Sequence, residues 1–443
     1  MPTSQTQKTD VWTKFAIVQL IGCWFLGKIF AVAGGPLVAL LFFNRNLCQS
    51  IYRALTRRDQ LSFLCWMLLI SIMYGICGTV YGIMSGYDPV TALQILVFNF
   101  CPLYFILGIW AGARRPGFLQ GFIKFTFWYG TVYTLLYFLV LRNQFGNDDA
   151  IGHPGSGMIT FLAPFCFGFK LSIFWFPILV ATFNIIANQI RADWVGLAIA
   201  MAIWGATAKK LGRVFSIVGL VVGLLLVGFV FDVRIPGFAE RGGEISARDT
   251  VGRALSSVDP ELAGEYSTDA ATYAGTVHWR ETWWKEIRDT VTESPVTTIF
   301  GMGYGYPIAD LVSYLKGMDI RTPHSIFYFT LCYSGAVGVA IFFTLQASIL
   351  ILHWRTYKAT GQTYGFVTHI ALLTSAFFGN LFEAPQSAIT VYLLLGMSVG
   401  PLFSSRYSSE ETIIAPDISA NLQPVPRRIR MRGYASLPDP AAD

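Results

Sequence analysis

Residues 61–83 read LSFLCWMLLISIMYGICGTVYGI, a run that contains no Asp, Glu, Lys or Arg. A helix rises about 1.5 Å per residue, so a run of this length crosses the ~30 Å hydrocarbon core of a bilayer. With 54% hydrophobic and 13% charged residues, the whole chain is predicted to be an all-α polytopic membrane protein. Further runs with few or no charges lie at 92–112, 118–141, 156–170, 171–190, 192–208, 213–232, 336–353, 363–382 and 386–403.

Positive charge predicts the side that each connector faces, because cytoplasmic loops carry an excess of Lys and Arg. The connectors predicted to be cytoplasmic are the basic ones, at 45–58, 114–115, 209–213, 355–358 and 406–432. The connectors predicted to lie outside are neutral or acidic, at 86–88, 147–149 and 383–385. The alternation gives about twelve crossings if 15–43 forms two short helices, and about ten if it is a re-entrant pair.

This alternation divides the chain into four parts. They are an N-terminal transmembrane bundle (1–232), a large extracytoplasmic, periplasmic loop (233–324), C-terminal transmembrane helices (325–404) and a basic cytoplasmic tail that is predicted to be disordered (405–443). The stretch 232–324 holds more than half of the chain's 26 acidic residues. It is therefore predicted to lie in water or to form a cap over the bundle, with amphipathic helices of its own.

Charge and cysteine content exclude several classes of protein. The net charge of +6 comes mainly from Lys and Arg in short loops and in the tail, where they act as topology signals, so nucleic acid is not a predicted partner. The seven cysteines fall mostly in apolar stretches, and none lies in the large loop, so the sequence contains no disulfide or zinc framework. No cofactor and no metal site are predicted.

The large loop has two parts of different composition. Residues 241–273 are rich in Gly, Ser, Ala and Asp, which predicts little fixed structure. Residues 278–288 read HWRETWWKEIR and predict an amphipathic helix along the membrane surface. The face of that helix consists of Arg280, Trp283, Trp284, Ile287 and Arg288. The stretch GMGYG at 301–305 then predicts a loop whose amides approach a ligand closely.

Several stretches in a fixed order resemble the O-antigen ligase and polysaccharide polymerase superfamily. They are RADWVGL at 191–197, a long outer loop, Arg280 with Trp283 and Trp284, Pro295, GMGYG at 301–305, and His324 followed by GAVG at 335–338. The resemblance covers about 150–400, and Ser325 stands where many members of that superfamily carry Asn. It implies a helical bundle with a periplasmic loop over a cavity, and inverting, metal-independent glycosyl transfer from an undecaprenyl-diphosphate-linked glycan.

The resemblance implies that Arg191 and Arg280 hold the donor diphosphate, and Arg288, on the same helix face, is a further candidate. A guanidinium suits this role because it forms bidentate, charge-assisted hydrogen bonds to phosphate and stays protonated. The resemblance places His324 near the acceptor or the leaving group, where its imidazole suits a general base for the acceptor hydroxyl. Glu383, at the outer end of a late span, is the alternative base.

Trp283, Trp284 and Tyr304 are candidates for stacking on the faces of sugar rings. Each candidate residue also has an ordinary structural interpretation. Tryptophans are common interfacial anchors, and arginines reach the membrane surface or form exposed ion pairs. His324 follows Pro323 and is equally compatible with the start of a helix.

The predicted activity is polymerisation of lipid-linked repeat units into O-antigen or exopolysaccharide, with ligation of glycan to lipid A core or to protein as the alternative. A transporter or flippase for lipid-linked sugars is the alternative of another class, although no internal repeat is visible. The predicted partners are a polyprenyl-diphosphate-linked glycan donor, a glycan acceptor (a lipid-linked chain or lipid A core), membrane lipids, and export or chain-length-control proteins. The predicted location is the bacterial inner membrane, with the site facing the periplasm.

Overall fold

The structure is a computed structural model, and it describes residues 11–27, 31, 60–136, 157–188, 190–236, 244–256, 262, 263, 266, 270–318 and 320–403. Most of the predicted hairpin at 15–43, the outer connector at 147–149 and the basic tail at 405–443 lie outside the described residues. Helices account for most of the described residues, as the apolar runs predict.

The helices before the large loop are α1 (Val11–Leu26), α2 (Gln60–Met84), α3 (Pro89–Phe100), α4 (Leu103–Arg114), α5 (Phe118–Leu136), α6 (Gly157–Cys166), α7 (Leu171–Asn188), α8 (Arg191–Thr207) and α9 (Leu211–Val230). The elements of the loop are β1 (Arg234–Pro236), β2 (Glu244–Ser246), α10 (Ala247–Leu255), α11 (Ala270–Thr292), α12 (Pro295–Phe300) and two short 3₁₀ turns (Ile308–Leu311 and Ser313–Leu315). The last elements are α13 (Ile326–Thr360), α14 (Tyr364–Ala376), α15 (Pro385–Val399) and a 3₁₀ turn (Gly400–Leu402).

Four helical stretches of the described chain are long and apolar enough to cross a bilayer: Leu61–Met84, Pro89–Arg114, Leu211–Val230 and Ile326–Thr360. Shorter apolar helices accompany them, at Val11–Leu26, Gly157–Cys166, Ile173–Ile186 and Tyr364–Ala376. A polytopic helical membrane protein fits these elements, while the number of crossings and the outward position of the loop stay predictions. One small departure from an all-helical chain is the antiparallel ribbon of β1 and β2 inside the loop.

The helices α4 and α15 pack backbone against backbone through two pairs of glycines. A methyl group added to Gly396 would overlap the carbonyl oxygen of Phe105 and lie 2.9 Å from Cα of Gly108. One turn further on, Gly400 meets the backbone of Gly112 in the same way. Small residues four apart on each helix permit this close approach, which is a common way to join helices in lipid.

The long helix α13 is bent at Gly335, where the backbone leaves the helical region (φ 60°, ψ −164°). A side chain at this position would collide with the carbonyl of Ile299 and would lie 2.5 Å from the amide of Gly301. The bend therefore makes room for the end of α12 and the turn that follows it.

A group of polar side chains lies in the interior of the bundle, between α13, α14 and α15. The imidazole of His369 pairs through Nε2 with Oε1 of Gln346 (3.0 Å), and Nε2 of Gln346 donates to the hydroxyl of Tyr392 (2.7 Å). The ring of His353 lies 5.5 Å from that of His369, and its Nδ1 lies 3.3 Å from the hydroxyl of Ser398. We call these five residues the mid-bundle cluster; all are buried.

Candidate functional site

The chain re-enters the bundle through 321–325, immediately before α13 begins. His324 adopts a left-handed backbone conformation (φ 53°), which is uncommon for a residue with a side chain and marks a constrained position. The preceding carbonyl, of Pro323, accepts a 2.8 Å hydrogen bond from the indole of Trp284 on α11. The helix α11 therefore holds the re-entry segment in place, and we call α10 and α11 the cap.

Arg280 and Trp279, also on α11, lie beside His324. The guanidinium carbon of Arg280 is 5.5 Å from the ring centroid of Trp279, and that ring meets the His324 ring edge to face at 6.1 Å. Burial, with a smaller effect of the Arg280 charge, lowers the pKa of His324 below its ordinary value. The imidazole is therefore neutral at physiological pH, which is the form that a general base requires.

Glu383 lies in the connector between α14 and α15 and is buried. It faces the hydroxyl of Thr322 and the amide of Ser325, the residues on either side of the Pro323–His324 step, although no described group makes a well-oriented hydrogen bond to either carboxylate oxygen. Burial raises the pKa of Glu383 well above its ordinary value, and those two groups oppose it only in part. Burial therefore favours the protonated form of the carboxyl. We call Trp279, Arg280, His324 and Glu383 the loop-end cluster.

Arg191 is the first residue of α8, and its guanidinium reaches up to the cap helix α10. Its Nη1 donates to the hydroxyl of Ser256 (2.8 Å) and lies 3.4 Å from the carbonyl of Arg253. Two residues into α8, Oδ1 of Asp193 accepts a 2.6 Å hydrogen bond from Ser375 on α14. The start of α8 is thus tied both to the cap and to the end of α14.

The end of α14 also contacts the second arginine. The carbonyl of Phe378, just beyond α14, lies 3.4 Å from Nη1 of Arg280. Ser375, which pins Asp193, lies one helical turn before it. Arg191, which bonds to the end of α10, and Arg280, on α11, therefore lie at the same end of the bundle although they are distant in sequence; their roles stay predictions.

The structure separates Arg288 from the loop-end cluster. Its guanidinium is exposed and donates two hydrogen bonds to Oδ1 of the neighbouring Asp289, from Nε (2.9 Å) and from Nη2 (2.8 Å). The buried face of α11 consists of Trp283, Ile287 and Val291, and Arg288 follows Ile287 by one residue, about 100° around the helix. The buried face of α11 is therefore narrower than the face predicted from the sequence, and Arg288 lies at its edge.

Two of the three residues predicted to contact glycan are enclosed by protein. Trp283 has no exposed surface and donates from its indole to the carbonyl of Ile308 (2.8 Å). Tyr304 is 1% exposed and donates its hydroxyl to Asn99 (2.7 Å). Trp284 differs because it is only half-buried. In this conformation only Trp284, among the three, presents surface near the cluster.

The glycine-rich stretch at 301–305 serves a different purpose from the one predicted. The amide of Met302 donates to Cys332 on α13 (2.7 Å), and the amide of Tyr304 donates to Gly78 on α2 (3.1 Å). The expectation that these amides face a ligand is therefore wrong for these two: the glycines permit close contact with helices instead.

Two groups that contact the candidate residues could hardly be identified from the sequence. Ser256 lies just after α10 in a stretch whose composition predicted little structure, yet α10 begins with a capping box formed by Ser246 and Asp249. The carbonyl of Phe378 carries no side-chain signal at all. A serine followed three residues later by an acidic residue was the one available indication of α10.

Taken together, these elements define a helical membrane protein with a capped site, bearing arginine, histidine and carboxyl groups, at one end of its bundle. The sequence model of the family described as O-antigen ligase matches residues 176–343. This confirms the resemblance to the O-antigen ligase and polysaccharide polymerase superfamily over that segment. The match contains Arg191, Arg280 and His324 and ends before Glu383. A search of curated protein sequences found no match to the chain.

Proposed function

We propose that this protein transfers glycan from a polyprenyl-diphosphate-linked donor to an acceptor at the capped end of its bundle. The observation that carries the proposal is the contact of Arg280, Trp279 and His324 where the chain re-enters the bundle. The family match over 176–343 supports the same class of chemistry. A donor of this kind has its tail in lipid and its phosphates at headgroup level, so it is accessible to a site at the end of the helices.

Arg191 and Arg280 are the proposed ligands of the donor diphosphate. During transfer the bond between the anomeric carbon and the diphosphate oxygen breaks, and its electron pair stays on the leaving diphosphate. Fixed guanidinium groups stabilise that increased negative charge more than they stabilise the ground state, which is the condition for catalysis. Hydrogen bonds to Ser256 and to the carbonyl of Phe378 help to orient the two guanidinium groups.

His324 is the proposed general base. As the acceptor oxygen forms its bond to the anomeric carbon, the hydroxyl proton passes to the imidazole, and a single displacement of this kind inverts the anomeric configuration. Since the pKa of His324 is lowered and that of Glu383 is raised, the neutral, proton-accepting form is favoured in His324 and the protonated form in Glu383. This favours His324 over Glu383 as the base.

Aromatic residues next to the cluster are the proposed contacts of the glycan. The indole of Trp284 stacks on Tyr328 with centroids 5.1 Å apart and an interplanar angle of 13°. Trp279 packs against His324. Flat aromatic faces of this kind bind the apolar faces of sugar rings. Trp279 and Trp284 therefore replace the enclosed Trp283 and Tyr304 as the leading glycan contacts.

The reaction that we propose is polymerisation of repeat units at the periplasmic face of the bacterial inner membrane, without a metal ion. Ligation to lipid A core or to protein is the alternative. The basic connectors at 114–115 and 209–213 support this orientation, because both precede helices that lead toward the capped end. Export and chain-length-control proteins are the proposed protein partners.

The decisive experiment uses the purified protein in vesicles with synthetic polyprenyl-diphosphate oligosaccharide, with and without added lipid A core. A ladder of polymer without lipid A identifies a polymerase, and a product that forms only with lipid A identifies a ligase. Activity that survives EDTA supports charge stabilisation by arginine alone. Absence of transfer to any acceptor, from protein that remains folded, would overturn the proposed activity.

A further inference from the structure

The segment 295–306 descends into the helix bundle and returns. The carbonyl of Phe300, at the end of α12, lies 3.4 Å from the hydroxyl of Tyr74 on α2. The chain then turns at Gly301, and the amide of Tyr304 bonds to Gly78 one turn higher on α2. By residue 305 it has reached the level of Asp88, in the turn beyond the end of α2.

The depth of this descent follows from helix geometry. Tyr74 lies about 15 Å below Met84 along the axis of α2, at ~1.5 Å per residue. On the other side of the segment, the amide of Met302 bonds to the carbonyl of Cys332, about 9 Å below the start of α13 by the same measure. Both α2 and α13 are long and apolar enough to span a bilayer. The turn at Gly301 therefore lies within the hydrocarbon layer, well below its surface.

The outward surface of α12 is apolar and exposed. Val296, Ile299 and Phe300 are 59, 43 and 55% exposed, values that a water-facing helix rarely devotes to such residues. Exposed apolar residues also lie on α2, among them Met73 and Val80. Since α12 contacts α2 through Phe300 and Tyr74, and α2 is long and apolar enough to span a bilayer, we expect the exposed residues of both helices to face the same solvent.

Several polar groups of the segment are hydrogen-bonded within the protein. The Gly301 amide bonds to Thr297, and the hydroxyls of Thr297 and Thr298 both reach the carbonyl of Val291, at 2.8 and 3.2 Å. Irregular backbone is tolerated at membrane depth only where protein supplies its hydrogen bonds, and this segment meets that condition. A surface loop would leave these groups to water.

We infer that 295–306 is a re-entrant segment of the membrane domain, and that Val296, Ile299 and Phe300 bind the acyl chains of the leaflet beneath the cap. This assigns to lipid a part of the chain that the sequence places in the large aqueous loop. Because α12 follows α11 after a short turn, the same contact anchors α11, and with it Arg280, at a fixed height above the bilayer.

Photolabelling tests the inference on the intact protein in vesicles that contain phosphatidylcholine with a diazirine at the end of one acyl chain. After irradiation, peptides carrying lipid adducts are identified by mass spectrometry. We expect adducts on 296–300 at a yield comparable to that on α2, and none on the exposed stretch of α11 that contains Lys285 and Arg288. Adducts on α2 without adducts on 296–300 would overturn the inference.

A matched pair of variants gives a second readout. Ile299→Lys should lower the unfolding temperature in vesicles and move the remaining adducts away from α12, because a charge at that depth is costly. Met318→Lys is the control: this residue is also exposed and apolar, but it follows Lys316 in the cap. Equal effects of the two substitutions would place both residues in water and contradict the inference. Neither outcome depends on glycan transfer.

Discussion

The loop-end cluster and the mid-bundle cluster both place a histidine beside an aromatic residue, yet they differ in what else surrounds the imidazole. His369 is enclosed, bonded to Gln346, and has no exposed surface. His324 is half-buried, lies in a left-handed conformation and faces the charge of Arg280. One nitrogen of His369 also lacks a partner among the described residues, so an unsatisfied atom alone does not mark a reactive site. Access for substrate and a nearby fixed charge distinguish the two.

The largest expected effect is the difference in transfer rate between substitutions of the two histidines. His324→Asn, which tolerates the left-handed backbone, should lower the rate of glycan transfer about 10²- to 10⁴-fold, the usual contribution of a general base. His369→Asn should leave the rate of the folded protein within about threefold, while it lowers the unfolding temperature. Initial rates per folded molecule in vesicles measure both. Equal losses would remove the distinction drawn between the clusters.

Arg280→Ala should lower the transfer rate about 10²- to 10³-fold, as does loss of a group that stabilises developing charge. It should also raise the pKa of His324, since Arg280 now lowers it. The acid-side fall in rate would then move to higher pH. Arg280→Lys keeps the charge without the fork and should restore the pH profile more fully than the rate. An unchanged acid limb in Arg280→Ala would separate Arg280 from His324.

Asp193→Ala should lower kcat about tenfold, because it frees the start of α8 from Ser375 and displaces Arg191. Asp193→Asn should recover most of the loss, since an amide oxygen still accepts from the serine hydroxyl. Unlike Arg280→Ala, neither change should move the acid limb of the pH profile. A shift of that limb would show that Asp193 acts on His324 and does not merely position Arg191.

The smallest expected effect on rate is that of Glu383→Gln, within about threefold at mildly acidic pH, because burial favours the protonated carboxyl, which the amide resembles. Its effect is on stability. The folded-state pKa is raised, so the stabilisation by the neutral form is complete at low pH and is lost as pH rises through that raised value. The unfolding temperature of the unmodified protein should therefore fall as the pH is raised above the ordinary carboxyl range, and that of Glu383→Gln should not. A large rate loss in Glu383→Gln would restore Glu383 as the base.

The predictions made from the sequence succeed where one physical effect dominates. Apolar length alone predicts spans close to α2 and α9, and alternating positive charge predicts that Arg191, Arg280 and His324 share one end. The predictions fail where residues that are adjacent in sequence have different surroundings in the folded protein. Trp283 and Trp284 are adjacent residues of the same type, but the indole of Trp283 donates to the carbonyl of Ile308 and the indole of Trp284 donates to the carbonyl of Pro323 in the re-entry segment. That difference depends on the packing of elements far apart in the chain, which periodicity does not encode.

The close backbone contact between α4 and α15, made at their glycines, has a consequence for how substrate enters. Two helices whose main chains are in contact along successive turns form one rigid unit, because neither can slide or tilt without losing that contact. Glu383 lies just before α15 begins, at the end of this unit, so one wall of the site is rigid. Since α11 is anchored through α12, entry of a bulky headgroup would require movement at α10, the other helix of the cap.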